Sequence, residues 1–195
     1  TCYFARLTGP AGHVIAFEPA PDMMEILKDN VAFNGYANVI LEQKAVTDRT
    51  GPLTLYMEAG RPEDNRIFPD GEAPRTAYPV DGVCLDDVPF LKDHPPAFIK
   101  MDIQGAEIFA IRGMRRLLRE SPEVCVLLEF WPFGLIRAGF RPEELVEELL
   151  KAGLEVRRVA EDGQLVPVEA AGVKDLCGVG IGTYINLVAA PPARM

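Results

Sequence analysis

Phe98-Ile99-Lys100-Met101-Asp102-Ile103-Gln104-Gly105-Ala106-Glu107 compresses an apolar run, an acid, a glycine turn and the start of a helix into one short stretch. The run predicts a strand, and the residues after it a helix from about Ala106 to Leu118. A carboxylate at the tip of a buried strand is tolerated where it meets donors or a cation. Gly105 lets the backbone approach a ligand closely. Asp102 therefore reads as bordering a ligand. Glu107 reads either as part of that site or as a first-turn acid that complements the helix dipole.

The same pattern recurs on both sides. His13 to Phe17 is a short apolar strand closed by Glu18-Pro19. Pro21-Asp22 then opens a helix that buries Met24, Leu27 and Val31 and stops at Asn34-Gly35. Val39-Ile40-Leu41 predicts a strand running on to Ala45-Val46, and Leu53 to Met57 another. Residues 58–79 carry no periodicity and read as a long loop. Val124 to Leu128 is continuously apolar, as in a strand covered on both faces, and ends at Glu129. Pro142 to Ala152 predicts a helix with Leu145, Val146, Leu149 and Leu150 inward. Leu154 to Val159 and Tyr184 to Ala189 are the last strands, and residues 1–8 the end of a helix. Strands alternate with helices over one domain, so the class is α/β with a largely parallel sheet. Ligands in such sheets bind beyond the carboxyl ends of the strands, where Glu18, Asp102 and Glu129 stand.

Composition narrows the chemistry. The chain has 195 residues, 48% hydrophobic and 25% charged, with a formal charge of −9. That acidity disfavours a phosphate backbone as partner, and Arg112, Arg115, Arg116 and Arg119 read as a solvated helix face. No run approaches the roughly 20 apolar residues of a membrane helix, and the start is not a signal peptide. Cys2, Cys84, Cys125 and Cys177 are too dispersed for a metal knuckle or redox pair. With His13 and His94 the only histidines, neither a metal site nor a Ser-His-Asp device is expected. The reading is a cytoplasmic protein with reduced thiols, acting on a small molecule, with no nucleic-acid or membrane partner.

The chain resembles FkbM-family methyltransferases. The matching pieces are Val14 to Pro19, Asn30 to Gly35, Ala45 to Asp48, Leu53 to Tyr56, Leu85-Asp86-Asp87, Phe98 to Glu107 and Leu127 to Phe130, in family order. The resemblance implies a Rossmann-like class I methyltransferase fold, a mostly parallel sheet with an antiparallel last strand, and S-adenosylmethionine as cofactor. It places Glu18, with Pro19 beside it, on the ribose hydroxyls. It sets Ala45, Val46 and Asp48 along the adenine and Asp102 near the methionine part. Gln104 stands where the family usually has glutamate. The family's first motif, a strand with an acid-containing glycine loop, would fall before Thr1. A single domain over residues 1–195 is then expected to lack its first strand, which would lie between the strands at 13–17 and 98–102.

A sulfonium is already an activated methyl donor, so catalysis needs chiefly an acceptor oxygen held in line, worth roughly 7–11 kcal/mol. A base adds about 10²–10⁴-fold, and Asp102, Glu107 and Glu129 are the candidates. Phe130-Trp131-Pro132-Phe133 reads as packing or as the wall of an acceptor pocket. Glu63-Asp64-Asn65-Arg66 reads as an acceptor contact or as a solvated loop. The expected activity is O-methylation of a small-molecule or sugar hydroxyl. One rival is a catalytically silent Rossmann-like binding domain. Another, a nicotinamide oxidoreductase, fits Glu18 but not the 98–107 stretch.

Overall fold

The structure, a computed structural model, describes residues 1–69, 71, 74–176, 178, 180 and 182–195, the side chains of Glu63 and Lys174 excepted. Glu63 and Cys177, both singled out above, lie in part or wholly outside the described residues. The helices are α1 Cys2–Thr8, α2 Pro21–Phe33, α3 Pro89–Asp93, α4 Glu107–Arg112, α5 Arg115–Glu120, α6 Pro132–Arg137 and α7 Glu143–Lys151. The strands are β1 Val14–Phe17, β2 Val39–Glu42, β3 Ala45–Val46, β4 Gly51–Met57, β5 Thr76–Val83, β6 Phe98–Met101, β7 Cys125–Phe130, β8 Glu155–Val159, β9 Leu165–Pro167 and β10 Ile185–Ala190.

The largest sheet runs β6-β7-β10-β8-β9. β6 and β7 are parallel, with Ile99 beside Val126 and Met101 beside Leu128. β10 lies antiparallel to both β7 and β8, and β9 antiparallel to β8. A second sheet, β3-β5-β4, joins one parallel and one antiparallel ladder, and β1 pairs β2 in parallel. The antiparallel last strand is present, but the expected mostly parallel sheet becomes a mixed α/β arrangement. The cause is position: β10 inserts between β7 and β8 and turns both contacts antiparallel. Among the described residues no ladder joins β1 to β6. They meet through packing, with Ile15, Phe17 and Ile99 against one core and Phe4 of α1 at 5.2 Å from the Phe98 ring.

One face of the large sheet is closed. Met101, Val126, Leu128, Phe130, Leu187, Ala189 and Val156 point into a core completed by α4, α5 and α7. Leu145, Val146 and Leu149 of α7 are fully buried there; Leu150, expected inward, points outward and is 46% exposed. The other face carries Phe98, Lys100, Cys125, Leu127 and Glu129, all exposed or half-buried. Period-two alternation assigns these residues to it. Glu129 thus lies inside β7, opposite Asn186 of β10, rather than beyond the strand's end.

Three further expectations are corrected. Residues 39–46 form two strands in different sheets, split at Gln43-Lys44. The stretch 58–79 ends early, because Thr76 already begins β5. The helix after Gly105 is broken at Gly113, where a Cβ would overlap the backbone carbonyl oxygen of Thr47. The arginines on either side of the break are not simply solvated. Arg112 and Arg115 both reach Glu148 of α7, and the Arg116 and Leu117 amides donate to Asp86 at 2.9 and 2.8 Å.

The Gly113 contact is testable. Gly113→Ala should cost about 1–3 kcal/mol, the usual price of overpacking, read from urea melts. An unchanged midpoint would show that the Thr47 segment yields freely.

Candidate functional site

β6 ends at Met101, and the next residues reverse sharply. Gln104 adopts φ 54, the one left-handed residue other than glycine among those described, and Gly105 follows at φ 93. Such backbone is costly for a side chain-bearing residue and persists where the surroundings enforce it. The enforcing contact is Gly134 at the start of α6. A Cβ on Gly105 would lie 2.6 Å from the Gly134 carbonyl carbon. Gly105 is thus required by both its φ and this approach.

Asp102 sits exposed at the turn. Its carboxylate accepts from Lys100 Nζ at 3.0 Å and from Gln104 Nε2 at 2.9 Å. Lys100 and Asp102 are two apart on one strand, so they share a face, a signal the sequence reading did not use. The same register brings Glu129 beside Asp102. Burial first, then the Asp102 charge, pushes the Glu129 carboxyl up; Lys100 partly opposes this.

Glu107 is buried, with 1% of its surface exposed. Its Oε1 accepts from the amides of Ile103 at 3.3 Å and Gly105 at 3.4 Å, while Oε2 has no hydrogen-bond partner among the described residues. Burial is the main cause of its carboxyl rising from 4.5 to about 7; the loop amides lower it and Asp102 raises it. A fully buried carboxyl is not placed to meet an acceptor hydroxyl from solvent. Its geometry is that of a group tying the 103–107 turn to the start of α4.

Glu18 follows β1 directly. Its amide still donates to the Glu42 carbonyl at 3.1 Å, and its Oε1 accepts from the Ala20 amide at 2.8 Å. The other oxygen has no hydrogen-bond partner among the described residues. Burial raises its carboxyl, the Ala20 amide opposing and Asp22 adding. Pro19 is half-buried beside it. Ala45 is 3% exposed, Val46 packs on the core, and Asp48 is exposed with Thr47 donating to it at 3.3 Å. Asp102, Glu107 and Glu129 are thus linked through the Asp102 charge, while no hydrogen bond or ion pair among the described residues links Glu18, Ala45, Val46 or Asp48 to them.

The long loop also differs from its reading as solvated. Arg66 is 3% exposed and Asp64 6%, paired through Nε at 2.9 Å. Arg75 bridges Glu58 at 2.8 Å and Asp64 at 3.2 Å. The Arg66 guanidinium stands 5.1 Å over the Trp131 ring. Phe130 and Trp131 are buried packing groups; Phe133 is half-buried with Arg137 over it.

Comparison with known proteins follows the same lines. The family model described as Methyltransferase FkbM domain matches residues 1–155. A solved methyltransferase FkbM from Methylobacillus flagellatus KT is similar at 16% identity and TM-score 0.50, over 91% of this chain and 36% of its own. This chain therefore spans about a third of that protein. A precorrin-6y C5,15-methyltransferase from Geobacter metallireducens GS-15 is similar at 17% identity and TM-score 0.45, over 93% of this chain and 68% of its own. No curated protein sequence matches.

The buried Glu107 sets a pH dependence. The folded chain holds this proton more tightly than the unfolded one, so stability should fall as pH rises from 4.5 towards 7. Glu107→Gln should remove this decline, worth on the order of 3 kcal/mol, in denaturant melts across that range. Parallel pH profiles for the two proteins would mean that Glu107 titrates normally.

Proposed function

The chain belongs to the FkbM methyltransferase family, and from that premise we propose that it moves a methyl group from S-adenosylmethionine to a hydroxyl oxygen of a small molecule or sugar. The observation that carries this reading is that the Asp102 charge reaches Glu129 at the carboxyl ends of the parallel strands β6 and β7, with Lys100 and Gln104 already holding Asp102.

The residues present suit a cationic donor. Glu18 offers an open carboxylate oxygen to a pair of ribose hydroxyls. Pro19 next to it and Val46 offer half-buried apolar surface, Asp48 an exposed carboxylate, and Ala45 is buried. Asp102 would hold the methionine part, its charge complementing a sulfonium. When bound, the donor supplies an activated methyl group.

The remaining work falls to the chain. Glu129 takes the acceptor's hydroxyl proton on its carboxylate, whose raised basicity suits that task. Lys100 and Gln104 hold the Asp102 carboxylate along the strand face. Glu107 acts as a positioning residue: it holds the Ile103 and Gly105 amides, and so the place of Asp102.

Titration with S-adenosylmethionine by calorimetry, followed by turnover on a panel of hydroxyl compounds, tests the reading. Donor binding without any turnover would favour the silent binding domain. Glu18→Ala should weaken donor binding at least tenfold, from the loss of charge-assisted bonds worth about 1.5–3 kcal/mol each, with the melt unchanged. Glu129→Gln should lower kcat by about 10²–10⁴-fold and leave donor affinity intact. A Glu129→Gln enzyme of normal kcat would transfer the base role elsewhere.

A further inference from the structure

The far end of the large sheet carries a different chemistry. α5 stops at Glu120 and α7 at Lys151, beside the starts of β7 and β8. Between these ends lies an open hollow of about 310 Å³ lined by Arg119, Ser121 and Lys151, with Leu118, Leu154 and Pro191 as apolar wall. A second hollow of about 260 Å³ shares Arg119 and Lys151 and adds Arg115. Space of this size suits a small ligand.

Two details give the hollow a preference. Arg119 makes no ion pair among the described residues, and Lys151 only a loose one, 3.6 Å from Glu148. Glu148 is already held by Arg112 and Arg115, so it leaves positive charge uncompensated here. Ser121 is 2% exposed, and its Oγ is buried without a hydrogen-bond partner. Cations in the last turn of a helix do stabilise its dipole, which accounts for Arg119 and Lys151. It does not account for a hollow, nor for a buried hydroxyl left without the partner such groups normally have.

We propose that this hollow is a second ligand site, for a small phosphate monoester. Arg119 and Lys151 match the dianionic head in charge, Ser121 Oγ donates to it once its side chain rotates into the hollow, and Leu118, Leu154 and Pro191 cover a short apolar body. The site lies at the amino ends of β7 and β8, whereas Asp102 and Glu129 lie at the carboxyl ends of β6 and β7. It therefore stands independently of the methyl-transfer reading.

Phenyl phosphate is a suitable probe, titrated into the full ¹⁵N-labelled chain at constant ionic strength. Saturable shifts of the Ser121, Ala152 and Gly153 amides are expected. Affinity should fall about tenfold or more in the Arg119→Ala/Lys151→Ala double variant, from lost charge-assisted bonds. It should fall several-fold in Ser121→Ala and stay unchanged in Glu18→Ala. Arg119 and Lys151 are exposed, so the double variant leaves the core intact; Ser121 is buried, and a thermal melt confirms that its variant keeps the fold. Benzoate, a monoanion of similar shape, should bind more weakly. Absence of saturable shifts, equal affinity in the double variant, or benzoate binding as tightly would each overturn the proposal.

Discussion

Where Gly105 meets Gly134 there is no room for a side chain on either partner, and the site depends on that contact. It fixes the turn after β6, and the turn fixes Asp102. The contact is supported from both sides. Glu107 draws the Ile103 and Gly105 amides inward from the α4 side. On the α6 side a Cβ on Gly134 would run into the Trp131 ring, and Arg66 lies over that ring. Arg66 in turn is held by Asp64, and Asp64 by Arg75, which reaches Glu58. A stretch far from Asp102 in sequence is thus mechanically continuous with it.

Much of this was legible in the sequence where one local rule decided the outcome. The apolar run before Asp102, the apolar stripe of α2 and the start of α7 follow periodicity alone. What escaped reading was decided by contacts between distant segments. Thr76–Val83 contains Pro79 and Gly82, both poor strand residues. It forms β5 because β3 pairs only with its last two residues, so Pro79 lies on an open edge and lacks no ladder bond. The helical pattern continues through Gly113, but there the Gly113 carbonyl accepts from the Asp86 amide and the Cys84 thiol, and Thr47 leaves no room for a side chain. Glu58, Asp64, Arg66 and Arg75 follow no periodicity because ion pairs place them, and charges in a sequence resemble solvated charges until a partner is seen. Glu129 looked like a strand terminus because the residues before it are continuously apolar. Its place inside β7 follows from one sheet face being closed and the other open.

Burial separates the three carboxylates that the sequence treated alike. Glu107 is inside and acts on backbone amides. Asp102 and Glu129 are at the surface of the open face, where a proton and a ligand have access. Gln104 gains meaning from that arrangement. A glutamate at this position would bring another negative charge to Asp102, whose field already raises Glu129 and Glu107. The amide instead donates to Asp102 and leaves its charge available. An amide here thus avoids the repulsion a carboxylate would bring, while preserving the turn.

Net charge hides how the molecule divides its polarity. A formal charge of −9 weighs against a long phosphate backbone, because such a ligand samples much of the surface. A single small phosphate samples only one hollow. β7 separates the two ends of the sheet, and its six residues span about 20 Å. Screening at physiological salt acts over about 8 Å. Asp102 and Glu129 therefore exert little force on Arg119 and Lys151, and each end of the strand keeps its own sign. One sheet thus carries an acidic end and a basic end without either charge set neutralising the other.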